Sequence, residues 1–393
     1  MKQRVKEEAA SLFEEIRSVR RHLHTHPELS FEEHETMRFV CSKLDEHGIS
    51  YRSGVAGTGI VADIQGAGPG PVVALRGDMD ALPIQELSDI PYRSSNAGVM
   101  HACGHDVHTA SALGAAIILH RLRDDWKGVV RCIFQPGEER LPGGASLMIA
   151  EGVLEEPPVD LIIAQHVFPD LPAGMVGFRP GMYMASADEV YITVKGKGGH
   201  GAMPHLNIDP VLIAAHLITG LQQVVSRKAP PTIPTVLSFG KVMADGATNV
   251  IPDEVRLEGT FRTLDESWRA AAHIEIEEIA KGICSSMGGS CDVEVRKGYP
   301  YLQNDESLTI ACTDTARTYL DNENVIDLPL RMTAEDFSYF SQKIPACFYR
   351  LGTSSVDRER YTDSVHTPRF DIEEQALETG MGMMAFLALS HLA

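Results

Sequence analysis

Leu12, Ile16, Val19 and Leu23 recur at the spacing of one helix face near the start of the chain. Pro27 ends that pattern, and Ser30-Phe31-Glu32-Glu33 predicts a second helix opened by a capping box. Short apolar runs then alternate with helical stretches. Residues 59–64, 72–75, 129–134 and 161–164 read as strands, and 104–122 as a helix whose alanines and glycines let it lie close to a sheet. This alternation predicts an α/β fold with a mostly parallel sheet sandwiched by helices.

The pattern changes near Ser186. Segments 189–194, 209–225, 235–242, 254–262, 266–284 and 291–295 follow the order β-α-β-β-α-β of a ferredoxin-like unit. We therefore expect an inserted domain over 186–297 within a first domain made of 1–185 and 298–393. Gly181 and Gly298 are placed to serve as hinges. Beyond the insertion come more helix, a strand near 347–351 and a last helix over 373–392.

Composition narrows the partners. The chain has 393 residues, with 35 basic against 54 acidic side chains and a formal charge of -19. That balance argues against nucleic acid or an anionic membrane, both of which reward basic patches. No apolar run reaches the ~18 residues of a membrane-spanning helix, and the basic N-terminus lacks the apolar stretch of a secretory signal. The seven cysteines are scattered with no Cys-x-x-Cys, which fits free thiols in a reducing cytoplasm.

The chemistry concentrates in His101-Ala102-Cys103-Gly104-His105-Asp106-Val107-His108. Thiolate, imidazole and carboxylate form the ligand set of a transition-metal ion. Cys103 and His105 open the Ala-rich helix; His108, at i+3 from His105, reads as a ligand or a core histidine, with a supporting or structural role favoured. Glu138-Glu139 follows the predicted strand 129–134, and adjacent carboxylates divide into one that binds metal and one that takes a proton from water. His166 follows strand 161–164, and His366 lies in a loop near the C-terminus. Asp78 and Asp80 follow strand 72–75, at the strand end where open α/β sheets bind ligands. Together Cys103, His105, Glu139, His166 and His366 suffice for two metal ions. In the inserted domain, His200 sits in a Gly-bounded loop, Asn249 between two strands, and Arg262 at a strand end. An amide and a guanidinium near a histidine suit a substrate carboxylate, although turn chemistry and a surface ion pair explain Asn249 and Arg262 equally well.

These motifs resemble those of the amidohydrolase branch of the aminoacylase and carboxypeptidase-like di-metal peptidase superfamily, which includes hippurate hydrolases, indole-acetyl-amino-acid hydrolases and N-acetyl-diaminopimelate deacetylases. The likeness runs almost end to end, from Arg21-His22-Leu23-His24-Thr25-His26-Pro27-Glu28-Leu29-Ser30 to His366-Thr367-Pro368. It includes His101 to His108, Gly137-Glu138-Glu139, Gly198-Gly199-His200 and Ala334-Glu335-Asp336-Phe337. The resemblance implies metal-dependent cleavage of N-acyl-L-amino acids to a carboxylic acid and a free amino acid. It implies two divalent ions, manganese or zinc first and cobalt or nickel next, held by Cys103, His105, Glu139, His166 and His366, with the Cys103 sulfur bridging. Asp80 would orient a ligating histidine, Glu138 would be the general base, His200 would stabilise the oxyanion, and Asn249 and Arg262 would hold the substrate α-carboxylate. It also implies that the insertion is a lid and dimerisation domain of a homodimer or higher oligomer. The alternatives are a metallo-dipeptidase or aminopeptidase of the same superfamily, and a non-catalytic metal-binding protein.

Overall fold

Strands Val72–Asp78 and Val129–Gln135 are buried along their whole length, as expected where a sheet is covered on both faces. The computed structural model describes residues 1–357 and 359–392. The two strands lie in an eight-stranded sheet ordered Tyr51–Val55, Gly59–Gln65, Val129–Gln135, Val72–Asp78, Leu161–Pro172, Ala346–Ser354, Val176–Phe178, Val325–Asp327. The central strands, from Val129–Gln135 to Ala346–Ser354, run parallel. Antiparallel pairings flank them on either side. The fold is thus the α/β architecture expected, with the parallel strands at its centre.

Helix His105–Arg121 is buried at every residue from His105 to Leu119. A helix buried on every face belongs in a core, and this one packs against helices Lys2–Thr25 and Ala376–Ser390 and onto Val72–Asp78. Helix Lys2–Thr25 turns Leu12, Ile16, Val19 and Leu23 inward, as their spacing predicts. Each such fully buried aliphatic side chain contributes about 2 kcal/mol.

One local expectation fails. The second helix begins at His34, with Glu33 at its N-cap and no side-chain capping bond. Ser30 instead donates to Asp80, and the Glu33 carboxylate is occupied by Thr58 and Gly137. Tertiary partners have taken the groups that a capping box would use. The short strands Tyr51–Val55, Val176–Phe178 and Val325–Asp327 went unpredicted, the first being mostly polar and exposed and the other two only three residues long.

The chain divides into two compact bodies. The first comprises Met1–Tyr183, Gln303–Leu330 and the chain from Asp336 onward; the second comprises Met184–Leu302 with Arg331–Glu335. The second body holds a four-stranded sheet ordered Thr235–Met243, Glu254–Thr263, Asp188–Lys195, Ser290–Lys297. Every pairing in it is antiparallel. Helices Pro210–Gln223 and Glu266–Ser286 follow its first and third main strands, which is the β-α-β-β-α-β order read from the sequence. Val190, Ile192 and Val194 face the core, and the residues between them face outward. Asp209 and Asp265 cap the two helices by accepting backbone N–H groups.

One buried carboxylate ties this body together. Asp188 accepts from Arg269 at 2.8 and 2.5 Å, from His273 at 2.7 Å and from the Gly298 amide at 3.0 Å. Burial by itself would raise the Asp188 pKa. The hydrogen bonds and charge of Arg269 and His273 outweigh it and hold the group at about 2. An unfolded Asp titrates near ~3.9, so this stabilisation of about 2 kcal/mol is full above that pH and is lost as pH falls toward about 2. Asp188→Asn is expected to cost roughly 3 kcal/mol at pH 7, because Arg269 stays buried without its counter-ion. The check is urea unfolding in a Trp126→Phe background, where Trp268 alone reports. The gap between Asp and Asn forms should narrow below pH ~4; a constant gap would remove Asp188 as the titrating group.

Candidate metal centre

The predicted ligands meet at one edge of the first body's sheet. Strand Val72–Asp78 ends beside Met79 and Asp80, and Val129–Gln135 runs out into the Pro136 to Glu139 turn. His166 departs slightly from expectation. It lies inside a strand that continues to Pro172, just beyond the last residue paired with Val72–Asp78. Cys103 precedes helix His105–Arg121, separated by Gly104 at φ +76°. That left-handed turn, costly for other residues, sends Cys103 and His105 toward a common centre. His366 also has positive φ, at +63°, and its amide is fixed to the Ala102 carbonyl at 2.7 Å. Strain of this kind concentrates at functional sites.

The Cys103 sulfur lies 3.4 Å from His166 Nε2 and 3.2 Å from His366 Nε2. His366 Nε2 is 3.1 Å from Glu139 Oε1. Ligand atoms of Cys103, His105 and His166 all fall within 4.8 Å of one another, as do those of Cys103, Glu139 and His366. The structure therefore gathers Cys103, His105, Glu139, His166 and His366 into two triads that share one sulfur. Glu138, buried, joins a further group with His105 and Glu139, and its Oε1 accepts the Asp336 amide at 3.3 Å.

The surroundings aim these ligands. His105 Nδ1 sits 2.9 Å from the Asp80 carbonyl and 3.1 Å from Asp80 Oδ1. That arrangement turns its Nε2 inward, where it is buried without a hydrogen-bond partner. His166 Nδ1 is likewise held by the Val167 carbonyl at 2.8 Å. Fixing one imidazole nitrogen so that the other faces the centre is how metal-ligating histidines are oriented. The orphaned His105 nitrogen and the mixed sulfur, nitrogen and oxygen donors fit a borderline divalent cation. His108 has no lone pair to spare, since Nδ1 meets Asp78 Oδ1 at 2.6 Å and Nε2 accepts the Val167 amide at 2.9 Å. Its role is structural.

Asp78 is held by His108 and by Arg76 Nη1, each at 2.6 Å, and its Oδ2 lies 3.6 Å from His105 Nε2. Burial opposes its ionisation, yet the charge of Arg76 and the nearby histidines hold its pKa well below the usual range. Arg76 also donates to Gln135 and Asp336. Burial and Glu139 push the Cys103 thiol up. Contacts with Cys103 and Glu139 raise His366 to about 10. Cys103 and His366 thus hold their protons until a cation displaces them.

The remaining predicted residues belong to the second body. His200 and Asn249 flank one small ribbon in which His200 pairs with Val250 and the Gly201 amide donates to the Asn249 carbonyl. Both side chains are exposed. Arg262 lies on the main sheet, half-buried, and donates to the carbonyls of Asp188 and Phe261. Sequence reasoning missed Ser30, Glu33, Thr58, Arg76 and Gln135, which hold the centre from behind. For Arg76 a signal existed: a charged residue directly after the apolar run Val72 to Leu75.

Residues 74–390 match the model of Peptidase family M20/M25/M40. The chain belongs to this family. It is 45% identical over 306 residues to an N-acyl-L-amino acid amidohydrolase of Geobacillus stearothermophilus, covering 77% of this chain and 82% of that one. It is 40% identical over 368 residues to an N-acetyl-L-cysteine deacetylase of Bacillus subtilis (strain 168), covering 94% and 86%. The crystal structure of the Bacillus subtilis YXEP protein, a dinuclear metal-binding peptidase from the M20 family, superposes with a TM-score of 0.83 at 36% identity, covering 98% of this chain and 99% of that one.

The shared sulfur makes a prediction of stoichiometry. Cys103→Ala should weaken both metal sites by roughly 100-fold or more. His366→Ala should weaken one, leaving the Cys103, His105 and His166 triad able to bind. Equilibrium dialysis against manganese or zinc distinguishes the outcomes; two intact sites in Cys103→Ala would exclude a bridging thiolate.

Proposed function

We propose that this M20 family member is a metal-dependent amidohydrolase that cleaves N-acyl-L-amino acids into a carboxylic acid and an amino acid. The observation that carries the reading is Glu138, a buried carboxylate beside both triads and outside the two ligand sets that share Cys103. A metal-binding protein without catalysis has no use for it. The names of the two relatives support the substrate class, and the neighbour's dinuclear site supports two divalent ions, for which we favour manganese or zinc.

Bound by Cys103, His105, Glu139, His166 and His366, two divalent ions supply Lewis-acid polarisation of an amide carbonyl and make a nearby water more acidic. Glu138 takes the proton from the attacking water and returns it to the departing amine. Asp80 keeps His105 and the Glu139 amide in place while this happens. His200 Nδ1 accepts the Ala202 amide at 3.1 Å, which leaves Nε2–H as a donor. We assign that donor to the developing oxyanion, and Asn249 and Arg262 to the substrate carboxylate.

The second body, as the proposed lid and dimerisation domain, presents Thr235–Met243 as an edge strand with Val236, Val242 and Met243 exposed. An edge strand with exposed apolar side chains can pair with another copy, and a homodimer is our reading. All seven cysteines are free, and no helix among the described residues is long and apolar enough to cross a membrane. Both facts suit the cytoplasm.

Glu138→Ala is expected to keep its metal and lose turnover by on the order of 100-fold or more; near-normal turnover would sink the assignment. Arg262→Ala should raise KM sharply for N-acyl amino acids but little for the corresponding amides, and equal effects on both would remove it as the carboxylate clasp. Amino-acid release from N-acetyl, N-benzoyl and N-indole-acetyl substrates, compared with free dipeptides, tests the substrate class. Activity on the dipeptides alone would make the protein a peptidase instead.

A further inference from the structure

The segment from Ser30 to Glu33 does not start a helix; it folds onto the turn that carries Glu138. Phe31 has φ +68°, a conformation that bulky side chains rarely adopt. Its ring lies against Gly137, where a Cβ would come within 2.4 Å of the ring carbons. Gly137 has φ +58° and immediately precedes Glu138. Only glycine accommodates both the turn and the ring.

Glu33 completes the contact. Its side chain is buried, with the residue 0% exposed. Oε1 accepts the Phe31 amide at 2.9 Å and the Gly137 amide at 2.9 Å, while Oε2 accepts the Thr58 hydroxyl at 2.6 Å. These hydrogen-bond donors are all uncharged, so no cation among them offsets the cost of burying a carboxylate. Strain at Phe31 and an interior acid at Glu33 therefore converge on a single backbone amide one residue from the proposed base. Neither feature is needed to bury apolar surface.

We propose that Glu33 is a positioning residue for Glu138: by holding the Gly137 amide, it fixes the turn that aims the Glu138 carboxylate. This rests on the reading of Glu138 as the general base. Proton transfer needs the base within hydrogen-bond reach of the water, and a shift of about 1 Å can cost 100-fold in rate. The turn does not carry Asn249 or Arg262, so substrate affinity should be spared.

The test compares Glu33→Ala, Glu33→Gln, Thr58→Val and Glu138→Ala in the metal-loaded full chain, using N-acetyl and N-benzoyl amino acids. Metal content and melting temperature are recorded for each. Glu33→Ala should retain two ions and lose kcat by roughly 10- to 100-fold, with KM within about twofold. Glu33→Gln should recover most of that loss, because its carbonyl can accept both amides while its NH2 donates to the Thr58 oxygen. A purely structural role would predict neither the split between kcat and KM nor the rescue. If Glu33→Ala fails to fold, Thr58→Val carries the test. It removes only the hydroxyl that orients Oε2 and should lower kcat roughly threefold or more at unchanged KM.

Wild-type kcat in folded Glu33→Ala, or in Thr58→Val where that variant decides, overturns the positioning role even if Glu138→Ala is inactive. Loss of metal from Glu33→Gln also overturns it, since Glu33 would then act on metal loading. Normal turnover by Glu138→Ala overturns the base itself, and the positioning role falls with it.

Discussion

Asp80 is the carboxylate on which the metal-binding edge of the first body depends. One oxygen accepts the Ser30 hydroxyl and the Glu139 amide; the other meets His105 Nδ1. Segments far apart in the chain are thereby referred to one group that sits just beyond a parallel strand. An imidazole free to rotate would present its inward nitrogen only part of the time. With Nδ1 held, the His105 Nε2 has a single direction, and metal affinity follows from that preorganisation.

The same logic explains how much charge this body buries. Arg76 meets Asp78 and Asp336, and Arg20 meets Asp106 and Asp371 at 2.7 Å each, all in the interior. Buried ion pairs seldom add stability over apolar packing, because desolvation offsets the attraction. Their value here is directional. Asp106 follows His105 in the chain, and Asp371 follows His366 by one short loop, so Arg20 bridges the backbone segments that carry two of the predicted ligands. Leaving any one of these groups unpaired would cost more than the pair contributes.

The second body is simpler. Its alternating strands pack one face on the helices, and a single cluster around Asp188 holds the beginning of an interior strand to the residue just past the edge strand Ser290–Lys297. Its predicted functional groups, His200, Asn249 and Arg262, lie on surface ribbon or sheet positions whose local geometry resembles ordinary turn and strand chemistry. That is why residue spacing alone left Asn249 and Arg262 ambiguous, and why only the family resemblance distinguished them.

Much was legible in the chain itself. Helical spacing marked Leu12 to Leu23, the order of strand and helix segments marked the insertion, and the density of thiol, imidazole and carboxylate between His101 and His108 marked the metal centre. Each of these signals is local, set by the period of a helix or strand or by the chemistry of a side chain. The supporting contacts are not local. Ser30 and Glu33 have the spacing of a capping box, yet their oxygens serve Asp80, Thr58 and Gly137. His108 carries the same ring as His105 but has both nitrogens occupied. A polar group takes whichever partner the fold brings within hydrogen-bond distance, and burial makes that choice binding because an unmet group cannot turn to water. The sequence by itself determined which chemistry this protein can perform and which faces it buries. Only the tertiary structure decided which of its acids and histidines bind, which orient, and which merely hold the fold.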